Sequence, residues 1–236
     1  MAEGSDNDND KSQKTEEPTQ RKLEQAKQKG QIPSSREVNN WFMILSGTLI
    51  VAMISPSLSG GLTDSLRAFL ESPHDIRLDD ASLAHLLANL GAQIGFMLIV
   101  PILLLLVAAV AGGFVQGGLV VAVDRITPKL ERISPLSGIK RLFSLRSIAE
   151  FAKGLLKISI VAAVATMLML PYFGGLEDLT RMELSTLASF IHDLSTRLLI
   201  GVLSVVTVVA VLDFLYQKFE FMKQMRMSRQ EIKDEY

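Results

Sequence analysis

Cysteine is absent from the 236 residues, which excludes disulfides, thiolate metal sites, a cysteine nucleophile and lipid attachment through sulfur. Histidine is scarce, and His74, His85 and His192 stand far apart, each reading as a surface residue before a metal ligand. No His-Glu-x-x-His pair, no nucleophile with a positioned base and no pair of intramembrane aspartates is present, so the sequence does not support an intramembrane hydrolase, a metal site or a cofactor. Charge is thin as well. Charged residues make up 21% against 48% hydrophobic, with a mean hydropathy of +0.30, whereas a soluble chain carries roughly a quarter charged residues spread over its surface.

What is there instead is four charge-free runs, Val38–Thr63, Ala81–Val123, Ile158–Leu176 and Leu198–Leu212. A membrane-spanning helix needs about 20 residues at about 1.5 Å each, so the first and third suit one crossing apiece. The fourth reaches that length when extended through Asp213 to Lys218, which leaves one carboxylate near a helix end where it can reach the interface. The polar stretch Met1–Asn40 in front of the first run is no secretory signal, and that run has no Ala-x-Ala exit, so it is expected to stay as an anchor.

The second run, at 43 residues, is too long for one straight crossing and short for two. Charge placement decides it. Lys and Arg number seven in residues 1–40, two in 64–80, eight in 124–157, two in 177–197 and five in 218–236. One crossing puts the three basic segments together on the cytoplasmic side with both termini, as the positive-inside rule asks. The surplus is then absorbed by a tilted, broken or surface-lying helix bending at Pro101, Gly112, Gly113, Gly117 or Gly118. The expected architecture is an all-α membrane protein of four transmembrane helices within residues 38–217, with a long cytoplasmic loop, 124–157, between the second and third.

Polar groups inside the runs point outward from the chain. Asn89, Gln93 and Gln116 would seek hydrogen bonds from another helix in hydrocarbon, and Gly91 with Gly95 or Gly113 with Gly117 would let a partner backbone approach. Glycine is also common in membrane helices without any such meaning. The two outer connections, about 60–83 and 177–196, carry Leu62, Leu66, Phe69 and Leu70 at helical spacing and are expected to be short interfacial helices.

The remaining segments are more specific. Residues 1–13 form an acidic tail, expected to be disordered. In the N-terminal segment 14–37, Glu16, Glu17 and Pro18 favour a helix start, Glu17 can pair with Arg21, and Gly30 with Pro33 ends a short basic helix that is either a solvated linker or a docking segment. Ser34 with Glu37 is a capping pattern ahead of the first run, and Trp41 sits where an interfacial anchor belongs. In the loop, Pro128, Pro135 and Gly138 forbid a continuous helix, while Ile139, Leu142, Phe143 and Leu145 alternate with Lys140, Arg141 and Arg146. Such a segment lies on something, either anionic lipid or a protein. Ser147 with Glu150 caps the helix into the third run. Past Lys218, Ser228 with Glu231 opens another helix, so a further domain is expected to follow the linker 218–236.

Three stretches in order, KTEEPTQRKLEQAKQKGQIPSSRE from Lys14 to Glu37, PLSGIKRLFSLRSIAEFAK from Pro135 to Lys153 and RMSRQEIKDEY from Arg226 to Tyr236, set between four hydrophobic segments, resemble the type III export-switch family. The likeness is greater to the flagellar branch, with the injectisome branch second. The resemblance implies a multi-pass protein of the bacterial inner membrane and flagellar basal body, folded as two helical hairpins wrapped on the export gate. Partners would be the gate's pore subunits, other export-apparatus proteins, exported substrates and the lipid bilayer. It also implies that the loop contacts the gate and helps control its opening, with Pro135, Leu136, Gly138, Ile139, Lys140, Arg141, Leu142 and Phe143 as contact residues, and that Asn89, Gln93, Gly113, Gln116 and Gly117 face partners inside the membrane.

The chain departs from that family in one respect. The self-cleaving Asn-Pro-Thr-His motif of the switch domain is missing, and none of Asn7, Asn9, Asn39, Asn40 and Asn89 precedes a proline, so no enzymatic activity is expected. A self-contained transporter would want ionisable groups at mid-membrane and an internal repeat, and neither is evident. Nucleic-acid binding is not expected, because the basic residues flank membrane runs without interleaved aromatics.

Overall fold

The computed structural model describes residues 15–71, 80–118, 144–175 and 181–235. Seven α-helices account for most of them, and among the described residues the only β pairing is an isolated antiparallel bridge between Glu16 and Met227. The helices are α1 (Gln20–Gln28), α2 (Arg36–Leu49), α3 (Ser55–Glu71), α4 (Asp80–Gly117), α5 (Leu145–Met169), α6 (Leu184–Gln224) and α7 (Arg229–Glu235). A π-helical turn, Ile50–Ile54, joins α2 to α3, and a 3-10 segment, Leu170–Gly175, follows α5. Among the described residues, four stretches are long and apolar enough to cross a membrane: Arg36–Arg67, Leu83–Gly117, Glu150–Gly174 and Leu184–Gln224.

The helix ends follow from local chemistry. Thr19 caps α1 by accepting the Lys22 N–H at 3.2 Å, and Gly30, at φ 72°, turns the chain away while the Gln31 N–H donates to the Ala26 carbonyl at 2.8 Å. The cap of α2 is Ser35, one residue later than the capping pattern suggested, because its Oγ accepts from Glu37 and Val38. Likewise Ser144, not Ser147, caps α5 by accepting the Ser147 N–H at 3.2 Å. Ser228 caps α7 as the pattern indicated, accepting from Glu231 N at 3.1 Å. The π turn precedes Pro56, whose ring would clash with the carbonyl four residues back in a straight helix; the wider turn gives that carbonyl room.

Of the bending points named in the second run, Gly118 is the one where the helix ends. Before it stands one unbroken helix of 38 residues with Pro101 inside it, and Gly118, at φ 70°, is what stops it. A membrane helix tolerates an internal proline where its surroundings satisfy the freed carbonyl, so the surplus length goes into a helix of about 57 Å at 1.5 Å per residue. The outer connections also differ from short interfacial helices: residues 60–71 continue α3, and 184–196 are the first turns of α6.

By proximity the backbone divides into two units, Met1–Val38 with Gly113–Lys157 and Val208–Tyr236, and Asn39–Gly112 with Ile158–Thr207. In the second, sequence-adjacent helices run antiparallel as hairpins. A Cβ on Gly112 would lie 2.8 Å from Asn39 Oδ1, one on Gly61 would lie 2.7 Å from Met97 Cε, and Ser65 Oγ donates to Gln93 Oε1 at 3.1 Å. For α5 and α6 the meeting points are Leu168 with Gly201, where a Cβ would overlap the leucine methyl, and Tyr172 with Arg197. Trp41 joins α2 to α6 by donating its Nε1–H to Thr207 Oγ1 at 2.6 Å.

Buried hydrophobic side chains among the described residues are few and mostly small: Ala26, Ala108, Val206, Ala210 and Met227. Large ones such as Phe96, Phe151 and Met167 are more than 70% exposed. Faces this apolar and this bare belong in lipid or against other membrane helices.

Candidate functional site

The first turn of α2 is the point where side chains of all four spans meet, and it lies wholly in the first unit. Ser35 is completely buried. Its backbone N–H donates to Gln116 Oε1 on α4 at 2.5 Å, and its hydroxyl donates to Asp213 Oδ2 on α6 at 2.5 Å while accepting the Glu37 and Val38 N–H groups at 3.1 and 3.4 Å. The hydroxyl therefore uses its donor and both lone pairs. Two residues on, Glu37 Oε1 accepts from Lys157 Nζ on α5 at 2.6 Å, in an ion pair whose side chains are 20% and 29% exposed.

Electrostatics favour the arrangement. The Asp213 carboxylate and Glu37 both sit at the N-terminus of α2, where free N–H groups and the helix dipole attract negative charge. Gln116 is 8% exposed and finds its partner inside the chain, so it does not need the external helix that its place in an apolar run suggested. Asp213, the one charge near the end of the fourth run, is half-buried and accepts from the Ser35 hydroxyl. Beside the junction, Ile32 occupies the space a Cβ on Gly117 would need, and Lys153 Nζ stands 4.9 Å from the centre of the Tyr216 ring.

A second cluster in the same unit settles the open choice for the N-terminal helix in favour of docking. Glu16 and Met227 exchange backbone hydrogen bonds at 3.1 and 3.0 Å, Arg229 Nε meets Glu16 Oε1 at 3.0 Å, and Lys22 Nζ meets Glu231 Oε2 at 3.0 Å. Ala26 and Met227 are both buried. The N-terminal segment is thus pinned at one end to the C-terminal segment and at the other to the four spans.

The other sequence-derived candidates fare unevenly. Pro135, Leu136, Gly138, Ile139, Lys140, Arg141, Leu142 and Phe143 lie outside the described residues, as does the tail 1–13. Asn89 is exposed, Gln93 is exposed and accepts from Ser65, and Gly113 has open space where a Cβ would be. Missed altogether were Ser35 as the hub, the Glu37–Lys157 pair and the Lys153–Tyr216 contact. A signal existed: Gln116 and Asp213 each lie near the end of an apolar run and each needs a partner, and a serine at a third run's edge is able to serve both.

The arrangement tethers α4, α5, α6 and the N-terminal segment at one turn. Among the described residues no group of three or more His, Asp or Glu is placed to hold a metal ion.

Known proteins are similar to this sequence. A family model described as the FlhB HrpN YscU SpaS Family matches residues 12–236. The flagellar biosynthetic protein FlhB of Bacillus subtilis (strain 168) is 32% identical over 225 residues, covering 95% of this chain and 62% of its own length. FlhB of Salmonella typhimurium is 32% identical over 238 residues, covering 100% and 60%. The Yop proteins translocation protein U of Yersinia pestis is 25% identical over 230 residues, covering 95% and 63%. The chain thus spans about three-fifths of the length of these relatives.

Proposed function

The chain belongs to the FlhB, HrpN, YscU and SpaS family, and on that premise we propose that it is a membrane subunit of a bacterial type III protein-export apparatus, of the flagellar kind. The observation that carries the functional reading is the junction at Ser35. The two helices that flank residues 119–143 are held to the same turn of α2, α4 by Gln116 in its last turn and α5 by Lys157 midway along it. A connection whose two flanking helices share one tether is suited to bear on a neighbouring gate and to transmit force from it.

In this reading the 124–157 loop contacts the pore subunits through Pro135–Phe143 and helps control opening, and both termini lie on the cytoplasmic side, as the basic segments favour. The chain acts without catalysis, since its asparagines include none before a proline. Substrate switching would belong to full-length relatives. The 32% identity to the flagellar proteins, against 25% to the Yop translocation protein, supports the flagellar branch over the injectisome one.

Deleting Pro135–Phe143 in cells is expected to abolish most export of flagellar substrates, or to change ion leakage through the gate, with membrane insertion unchanged on fractionation. Normal secretion and leakage from a correctly inserted deletion variant would sink the proposal.

A further inference from the structure

Two cation–tyrosine pairs link α5, with its 3-10 extension, to α6, and their roles are exchanged. In one, Lys153 of α5 stands over the Tyr216 ring of α6 at 4.9 Å; in the other, Arg197 of α6 donates from Nη1 to the hydroxyl of Tyr172, beyond α5, at 2.7 Å. Lys153 to Tyr172 and Arg197 to Tyr216 are each 19 residues. Along the unbroken helix α6 that is about 29 Å at 1.5 Å per residue, which matches the roughly 30 Å hydrocarbon core of a bilayer.

The stretch between them has the character of a lipid-embedded span. On α6 it exposes Ile200, Val208, Val211, Leu212 and Leu215, and its one charge, Asp213, takes the Ser35 hydroxyl. On α5 its one charge, Lys157, is paired with Glu37. Both interior charges are thus satisfied within the chain, whereas Lys153 and Arg197 are exposed with further N–H donors to spend. A long cationic stem and a tyrosine share one preference, an apolar body in hydrocarbon with the polar tip at headgroup level.

We propose that these two pairs are the headgroup anchors of the chain: each meets phospholipid phosphates of one leaflet, and together they set the depth at which α5 and α6 cross. Of the 41 residues of α6, the span is then 197–216, and the turns before and after it stand outside the hydrocarbon. The inference rests on the chain being a membrane subunit, and it assigns Lys153, Tyr172, Arg197 and Tyr216 a lipid-binding role.

The absence of cysteine makes the test direct. Single replacements at exposed positions of α6 (Ile191→Cys, Ile200→Cys, Val208→Cys, Leu215→Cys, Met222→Cys) are spin-labelled, and the full chain is reconstituted in phosphatidylethanolamine and phosphatidylglycerol vesicles. Collision with oxygen relative to a water-soluble nickel chelate reads depth. The ratio is expected to peak at Val208, to fall on both sides through Ile200 and Leu215, and to show aqueous contact at Ile191 and Met222. Adding Tyr172→Leu with Arg197→Leu, which removes one anchor, should draw the Ile191 label toward hydrocarbon and the Met222 label away from it by about one turn, roughly 5 Å. A peak displaced to Ile191 or Met222, or a profile that the double replacement leaves unchanged, overturns the anchor assignment while the membrane reading stands. Aqueous contact at all five positions would instead defeat the membrane reading.

Discussion

A serine hydroxyl offers one donor and two acceptors, and Ser35 commits all three in a fully buried place. Removing it costs the helix cap, about 1 kcal/mol, and strands an acceptor on Asp213, roughly 1–3 kcal/mol more. Ser35→Ala should therefore lower the thermal midpoint in detergent clearly, and Gln116→Leu, which leaves the Ser35 N–H unpaired, should do the same. Asp213→Asn keeps an acceptor for the hydroxyl and should be milder than Asp213→Leu; equal midpoints for those two variants would mean the bond carries no stability. Neighbouring glycines give a second contrast. Gly112→Ala drives a Cβ to 3.3 Å from Asn39 Cα, at a cost of about 1–3 kcal/mol, whereas Gly113→Ala enters open space and gains up to about 1 kcal/mol of helix propensity. Opposite signs in the two melting shifts are the expected result. At this scale the chemistry was half legible: a cap before the first run follows from Ser34–Ser35, but only packing selects the serine whose donor has a carboxylate to meet.

Helices were legible where a local rule named their ends, as at Gly30 and Ser228. They were less so where apolar composition runs on. Hydropathy cannot say whether a helix stops at a membrane boundary, which is why residues 60–71 and 184–196 read as separate interfacial pieces and belong to α3 and α6. Docking of the N-terminal segment was likewise undecided in sequence, because Lys22 and Glu231 are separated by 209 positions. Their pair and the Glu16–Arg229 pair are partly exposed, worth roughly 0.2–1 kcal/mol each. Glu231→Lys should therefore hasten protease cleavage in residues 15–33, and Lys22→Glu combined with it should restore protection. Equal cleavage in the single and double variants would show that the backbone bridge and the packing of Ala26 and Met227 suffice alone.

As a whole molecule the chain lacks the means to cover itself. Its buried apolar side chains among the described residues are chiefly alanine, while phenylalanines such as Phe96, Phe114 and Phe151 and leucines such as Leu87, Leu156 and Leu212 lie open. The chain coexpressed with export-gate subunits and extracted in mild detergent should fly in native mass spectrometry as part of a larger assembly; recovery as a stable free monomer alongside an intact gate would argue for a self-contained transporter. Membrane residence, the number of spans and the family are consequences of the sequence by itself, because charge-free runs of the right length and three signature stretches are linear properties. The turn where α2, α4, α5 and α6 meet is not. It depends on which buried donors and acceptors reach one another across separations of 81, 120 and 178 positions, and a hydrogen bond is decided by tenths of an ångström that only the packed helices supply.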